Sequence, residues 1–342
     1  MISILVIYTG GTIGMKQNPE TGALQPFNFE QIKEEMPALK KFGFTINTIS
    51  FDPLIDSSDV QPDFWVKLCH TIAENYERYN GFVILHGTDT MAYTASALSL
   101  MMENLEKPVI LTGSQLPIGA IRTDGVGNMV SAIEIAATQY KGHPCVPEVC
   151  IFFENKLLRG NRTTKDSAEL FRAFRSGNYP ALAEAGTHIK FNRNSICYPK
   201  EWGQALRLHT DLDTNVGILK IFPGINPELM NNMLSYPKLR AVILETYGSG
   251  NAPTTSWFLE TLKAASDRGL ILINVTPCPT GSVDMEKYAN SLSLKKIGVL
   301  SGYDMTTEAA VCKLFLLLGQ QKDNEIVKSL WQKNISGEMT VN

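Results

Sequence analysis

The sequence predicts an α/β protein built from parallel-sheet units and divided into two domains. Short, β-rich apolar runs alternate with helical patterns along most of the chain, the arrangement expected of parallel sheets joined by crossover helices. That rhythm lapses between about residues 190 and 215 and then resumes. At 342 residues the chain is also long for one compact core.

In chain order, the first apolar run is Ile4–Ile7, and a second spans Thr45–Phe51. A helical pattern over Asp63–Tyr79 follows the start "QPDFW", then come a strand at Phe82–Leu85 and a helix over Met91–Leu105. Val109–Leu111 reads as a strand, Gly127–Ala137 as a helix and Val149–Phe153 as a strand. After the irregular stretch, strands are expected at Val216–Ile221, Ala241–Leu244 and Leu270–Val275, with helices near Pro227–Leu234, Thr254–Ala265 and Thr307–Leu318. The expected division is a larger domain over 1–190, a linker over 191–215 and a smaller α/β domain over 216–342.

Composition narrows the partners. Hydrophobic residues make up 44% and charged residues 19%, with a formal net charge of −3, so no basic footprint for nucleic acid or an anionic membrane is present. No apolar stretch reaches the ~18 residues that span a bilayer. The first residues run from an apolar strand into glycines without a basic leader or a small-residue cleavage site, which is the pattern of a strand rather than a signal peptide. Six cysteines lack framework spacing and are expected as reduced thiols in a cytoplasm. His143, Cys145 and Cys150 fall short of a zinc set, and no metal is expected. Small molecules are therefore the expected partners, with neither nucleic acid nor membrane.

Ligands of an open parallel sheet bind beyond the carboxyl ends of its strands. Four loops stand there: Thr9-Gly10-Gly11-Thr12-Ile13-Gly14, Asp56-Ser57-Ser58-Asp59, His86-Gly87-Thr88-Asp89-Thr90 and Arg159-Gly160-Asn161-Arg162-Thr163-Thr164-Lys165. The first fits neither the dinucleotide glycine spacing nor a Gly-Lys-Ser/Thr phosphate loop. A flavodoxin-type phosphate loop and a plain sharp turn both remain open for it. Asp89 or Thr90 alone could cap the helix that follows, and "DSSD" could be a polar turn leading into the helix after Pro62. His86 is expected as a hydrogen-bonded strand-end residue.

"TGGTIGM", "DSSD", "HGTDTMAYTASAL", "TGSQ", "RGNRTTK" and "GNAP" resemble the L-asparaginase family, specifically the type I, cytoplasmic asparaginases of bacteria, in order from Thr9 to Glu308. The resemblance implies a flavodoxin-like larger domain with a mainly parallel sheet and a smaller C-terminal α/β domain. It implies hydrolysis of L-asparagine to L-aspartate and ammonia with no cofactor, in a homodimer or homotetramer. By the motifs, Thr12 is the nucleophile that forms a β-aspartyl ester, and Thr88, Asp89 and Lys165 form the second catalytic cluster. Asp56, Ser57, Ser58, Thr88, Asp89 and Glu308 correspond to substrate-binding positions.

Two departures from the family carry consequences. Some type I members bind a second asparagine through an arginine in the strand before "YG-x-GNAP"; Glu245 stands there, although Thr164, Asn251, Thr276 and Cys278 match other positions of that effector site. Many members also carry a tyrosine on the loop after the nucleophile, and Glu20–Pro26 has none. Tyr303 occupies a position where many bacterial relatives have a small residue, so its phenol is expected to serve Thr12. Two other functions remain as alternatives, a flavodoxin-like FMN-binding protein and a non-catalytic amino-acid sensor on the same scaffold. Neither accounts for Thr12, Thr88 and Lys165 together.

Overall fold

A computed structural model describes residues 1–17, 24–26, 42–286 and 289–341. It divides into two compact units, Met1–Leu208 and His209–Asn342.

The first unit is organised by an eight-stranded sheet: Ser3–Tyr8 (β1), Thr45–Ser50 (β2), Gly81–Leu85 (β3), Val109–Thr112 (β4), Val149–Phe153 (β5), Lys156–Arg159 (β6), Ala183–Ala185 (β7) and Ile189–Phe191 (β8). Their order is β8-β7-β6-β5-β4-β3-β1-β2. β2, β1, β3, β4 and β5 run parallel, while β6, β7 and β8 add antiparallel strands at one edge. The five parallel strands give the mainly parallel sheet the sequence implies.

The central strands are buried on both faces, which is why they read as continuous apolar runs. Ile4, Val6, Tyr8, Val83 and Leu85 pack with Met129, Ala132, Ile133 and Ala136 of the helix Gly125–Ala137 (α3). On the other face the Phe82 ring stacks on Tyr76 at 6.1 Å, in the turn that follows the helix Pro62–Glu74 (α1). α1 starts on a proline at its first position and buries Phe64, Trp65, Leu68, Cys69 and Ile72, an i, i+1, i+4, i+5, i+8 stripe. It stops at Glu74 rather than Tyr79, and Tyr76–Arg78 forms a separate 3₁₀ turn.

The helix Met91–Met101 (α2) is also shorter than its apolar pattern suggests. Met102 turns extended and Met102–Glu103 pairs with Arg207–Leu208, so strand pairing takes over the end of the run. Within 191–215 the described elements are the end of β8, a 3₁₀ turn at Arg193–Ser195 and that Arg207–Leu208 ladder.

The second unit holds a parallel four-stranded sheet of Val216–Lys220 (β9), Ala241–Glu245 (β10), Ile271–Val275 (β11) and Leu300–Ser301 (β12), in that order. Helices Pro227–Leu234 (α4), Ser256–Asp267 (α5) and Ala289–Lys296 (α6) supply Met230, Leu234, Phe258, Leu262, Ala265 and Leu294 to a core with Leu219, Val242, Leu244 and Leu272. Thr307–Gln320 (α7) and Asn324–Trp331 (α8) complete the unit. Among the described residues no helix is long and apolar enough to cross a membrane.

Candidate active site

β1 and β3 are hydrogen-bonded neighbours, and their carboxyl ends are tied to each other. Thr9 donates both its amide N–H (3.1 Å) and its hydroxyl (2.9 Å) to the Leu85 carbonyl, and its own carbonyl accepts from Ile55 at 2.9 Å. The loops after β1, β2 and β3 thus leave the sheet from one fixed point.

Glycines let these loops meet. Gly11 has φ +87°, and a Cβ there would lie 2.5 Å from the Gly87 amide nitrogen. A Cβ on Gly87 would lie 2.4 Å from the Ser57 hydroxyl oxygen. The first and third loops therefore touch backbone to backbone, and the Ser57 side chain of the second loop packs directly on Gly87. Thr12 opens the 3₁₀ turn Thr12–Gly14 immediately after this contact and is half-buried. The buried Tyr8 hydroxyl donates to the Gly14 carbonyl at 3.0 Å, closing the turn against the sheet. Burial pushes the Tyr8 phenol up to about 12, so it remains a donor at any physiological pH.

Ser57 is buried and joins the second loop to the third. Its hydroxyl accepts from the Asp89 amide at 3.3 Å and its carbonyl accepts from the Thr90 hydroxyl at 2.6 Å. Thr90 occupies the N-cap of α2 without a side-chain capping bond, its hydroxyl being turned to Ser57 instead. Asp56 caps the short turn Ser57–Asp59, accepting from the Ser58 amide (2.9 Å) and hydroxyl (2.8 Å). Those two bonds hold its carboxyl below the usual range. α1 receives no side-chain cap from this loop.

The fourth loop is anchored beneath by a buried pair, Arg159 Nε to Glu148 at 2.6 Å, and by the Thr163 hydroxyl on the Arg159 carbonyl at 2.7 Å. Thr164–Lys165 pairs antiparallel with Phe174–Arg175, which fixes the lysine's backbone. From there the Lys165 Nζ reaches the Thr88 hydroxyl oxygen at 2.9 Å and Asp89 Oδ1 at 2.5 Å. Lys165 is 22% exposed and Asp89 61%, so solvent screens the aspartate more than the lysine. One ammonium is in hydrogen-bond reach of both a threonine hydroxyl and a carboxylate, the arrangement in which a lysine can exchange a proton with a hydroxyl while the carboxylate orients it.

Two residues support these loops: His86, the hydrogen-bonded strand-end residue expected from sequence, and Asp124, which was not assigned from sequence. His86 is fully buried, with Nδ1 2.6 Å from the Gly87 carbonyl and Nε2 3.0 Å from the Thr94 hydroxyl, which accepts from Trp65 Nε1 at 3.1 Å. Desolvation lowers its pKa to about 4, against the opposing Gly87 hydrogen bond. The ring is neutral: Nδ1–H donates to Gly87 and Nε2 accepts from Thr94, a chain that holds the Gly87-Thr88 peptide. Asp124 accepts from the Gln115 and Leu116 amides at 3.1 and 3.2 Å and from Asn128 at 3.1 Å, securing the "TGSQ" loop. A carboxylate before a Gly-rich helix start is the signal that could have found it.

Tyr303, Glu308, Glu245, Asn251, Thr276 and Cys278 lie in the second unit. Tyr303 follows β12 with φ +54° and is half-buried. Glu308 is buried in the first turn of α7. Glu245, at the end of β10, accepts from the Thr307 hydroxyl at 2.8 Å and lies 3.9 Å from Lys220. Asn251 accepts from the Ser291 hydroxyl at 3.2 Å, the Thr276 hydroxyl donates to the Gly248 carbonyl, and Cys278 is exposed. Thr164 sits in the first unit. Of the stretch expected to lack a loop tyrosine, Glu20–Ala23 lie outside the described residues, and Leu24–Pro26 form a short strand with Met15–Gln17. Among the described residues no group of three or more His, Cys, Asp or Glu is placed to hold a metal ion.

Comparison with known proteins agrees with the motifs. Residues 3–197 match the family model "Asparaginase, N-terminal" and residues 215–331 match "Glutaminase/Asparaginase C-terminal domain". The chain is 45% identical to L-asparaginase 1 of Escherichia coli K12, covering 99% of this chain and 98% of that one. It superposes on the crystal structure of L-asparaginase I from Vibrio cholerae with a TM-score of 0.89 and 44% identity, over 99% of both chains. The thermostable L-asparaginase of Thermococcus kodakarensis matches over the full length of both chains, with a TM-score of 0.90 and 31% identity. The flavin-binding and sensor alternatives gain no support from these likenesses. The chain belongs to the asparaginase family and is similar throughout its length to its type I members.

Proposed function

We propose that the protein hydrolyses L-asparagine to L-aspartate and ammonia through a β-aspartyl ester on Thr12. The observation that carries the reading is the Lys165 Nζ within 2.9 Å of the Thr88 hydroxyl and 2.5 Å of Asp89, on a loop whose Gly87 touches Gly11. The Thr12 oxygen attacks the side-chain amide carbon as its proton passes to a base, and the developing oxyanion is met by backbone N–H groups of the glycine turns. The carbon–nitrogen bond then breaks and ammonia leaves with a proton. Water activated at the Thr88–Lys165–Asp89 cluster attacks the ester and restores the Thr12 hydroxyl.

Lysine serves as a base only when neutral, so the proton it takes from the hydroxyl must later be passed on. Ser57 offers its hydroxyl to the substrate α-carboxylate, with Asp56 and Ser58 shaping that turn, and Asp89 accepts from the α-ammonium. Glu308 is a second acceptor for the ammonium. Tyr303 supplies the phenol that the loop after Thr12 lacks. The enzyme works without metal or organic cofactor, in the cytoplasm, as a homodimer or homotetramer. Thr164, Glu245, Asn251, Thr276 and Cys278 mark the effector position.

A coupled assay of ammonia release from L-asparagine tests the activity. Tyr303→Phe, which keeps the ring and deletes only the hydroxyl, tests the phenol: a fall of ~10²-fold or more in kcat is expected. Unchanged kcat would leave Tyr303 a packing residue.

A further inference from the structure

Tyr303 has a left-handed backbone, φ +54°, which is unfavourable for a residue with a Cβ and persists only where the surroundings over-determine it. The turn around it, Ser301 to Asp304, is held from two sides. On one side the Tyr303 amide donates to the Ser301 hydroxyl at 3.0 Å, that hydroxyl donates to the Val283 carbonyl at 3.2 Å, and the Tyr303 carbonyl accepts from the Val283 amide at 2.8 Å. On the other side both contacts come from one later segment. Trp331 Nε1 donates to the Ser301 carbonyl at 2.8 Å, and Thr340 donates its amide and its hydroxyl, each at 2.8 Å, to the two carboxylate oxygens of Asp304.

A buried charge pair holds that segment. Lys313, on α7, and Glu338 are both fully buried and meet at 2.7 Å. The Lys313 ammonium also donates to the Trp331 and Lys333 carbonyls at 2.8 and 2.6 Å. The Glu338 carboxylate also accepts from the Ile335 and Ser336 amides at 3.0 and 2.8 Å. The backbone from Trp331 to Glu338 thus wraps one ammonium, and this fixes Trp331 and Thr340 at the two ends of the wrap.

We propose that residues 331–340, clasped on Lys313 through Glu338, are a positioning device that sets the Tyr303 phenol by gripping Ser301 on one side of it and Asp304 on the other. The inference rests on the catalytic reading of Tyr303 given above. Lys313, Glu338, Trp331, Asp304 and Thr340 touch no reacting atom in this account and act through the tyrosine's backbone. α7 carries Glu308 five residues before Lys313, so the same ammonium also braces the helix that presents that carboxylate.

The test is a double-mutant cycle on the full-length enzyme, measured by ammonia release. A chain truncated after Met339 removes both Thr340 contacts and keeps Glu338 in place. Thr340→Val removes only the hydroxyl contact and stands in should the truncated chain fail to fold. Each is made with Tyr303 present and in the Tyr303→Phe background. Expected is a loss of ~10-fold or more in kcat for the truncation, at constant KM and thermal midpoint, as for a displaced catalytic group. A smaller loss in the same direction is expected for Thr340→Val. Neither change should have a further effect once the phenol is gone. Equal losses in both backgrounds would overturn the proposal, as would no loss with Tyr303 present. Unchanged kcat for Tyr303→Phe alone would instead overturn the catalytic reading of the tyrosine, and the clasp's role with it.

Discussion

Gly11 and Gly87 pack backbone to backbone: a Cβ on Gly11 would stand 2.5 Å from the Gly87 amide nitrogen and 2.6 Å from its Cα. Neither neighbour is a flexible side chain that could move aside. Gly11→Ala must therefore separate the Thr12 loop from the Thr88 loop by a substantial part of an ångström. The expected result is a loss of ~10²-fold in kcat/KM together with ~1–3 kcal/mol of destabilisation from overpacking. Gly43→Ala, where a Cβ meets nothing within 4 Å, is the control and should change neither. Near-native activity of Gly11→Ala would show that the two loops can move apart freely.

The two threonines should fail at different steps. Thr12→Ala deletes the hydroxyl assigned to the ester, so no acyl-enzyme should be trapped by rapid quench and mass spectrometry, and kcat should fall by orders of magnitude. Thr88→Ala keeps the nucleophile and removes the partner of Lys165, so turnover should also collapse with folding intact. Lys165→Met should match Thr88→Ala, and Lys165→Arg should not restore activity, because a guanidinium is never neutral in a protein and cannot take a proton. Native turnover in Thr12→Ala, or an active Lys165→Arg, would reverse these roles.

His86 makes stability depend on pH in a direction its surroundings set. Its pKa falls from 6.5 to about 4 on folding, so below pH 6.5 the unfolded chain binds a proton that the folded chain refuses until about pH 4. The resulting penalty is absent above pH 6.5, grows as pH falls and is complete below pH 4, reaching ~3 kcal/mol. Denaturant titrations at pH 7 and pH 4 should show His86→Gln losing less stability over that interval than the parent. Parallel losses would mean the imidazole is protonated in the folded state.

Steady-state kinetics with asparagine should be hyperbolic. Glu245 holds a carboxylate at the position proposed for an effector site, where the family resemblance leads one to expect an arginine, and the Thr307 hydroxyl fixes it at 2.8 Å. A second asparagine would bring its own α-carboxylate against that charge. A sigmoidal rate curve would show that Thr164, Asn251, Thr276 and Cys278 suffice to bind an effector.

The parts of the fold that were legible in sequence are those where one local signal outweighs its competitors. β1, β3, β4 and β5 announce themselves as apolar runs because both their faces are covered, and glycine-threonine loops mark the ends of β1, β3 and β4. The antiparallel edge, Lys156–Arg159, Ala183–Ala185 and Ile189–Phe191, was not foreseen. Strands of three or four residues are too short for their alternation to stand out, and the first follows β5 after a two-residue turn. The cluster of Thr88, Asp89 and Lys165 was legible only through its motifs, since no periodicity links residues 76 or 77 positions apart. Thr90 was ambiguous because a threonine before a helix has the same sequence signature whether it caps the helix or, as here, holds a neighbouring loop. The signal for the Lys313–Glu338 pair was a lone lysine within "EAAVCKLFLLL", a residue type that is buried only when something downstream neutralises it.

That pair also imposes an order on biosynthesis. Lys313 is translated 25 residues before Glu338, and until the glutamate emerges the helix has no anion for the ammonium it must bury. An uncompensated buried charge is costly enough to hold a helix face open to water. α7 can therefore close on the second unit's sheet with its ammonium paired only after Glu338 has been made. A chain released early keeps an exposed leucine-rich surface, which chaperones and proteases recognise, instead of persisting as a half-built enzyme.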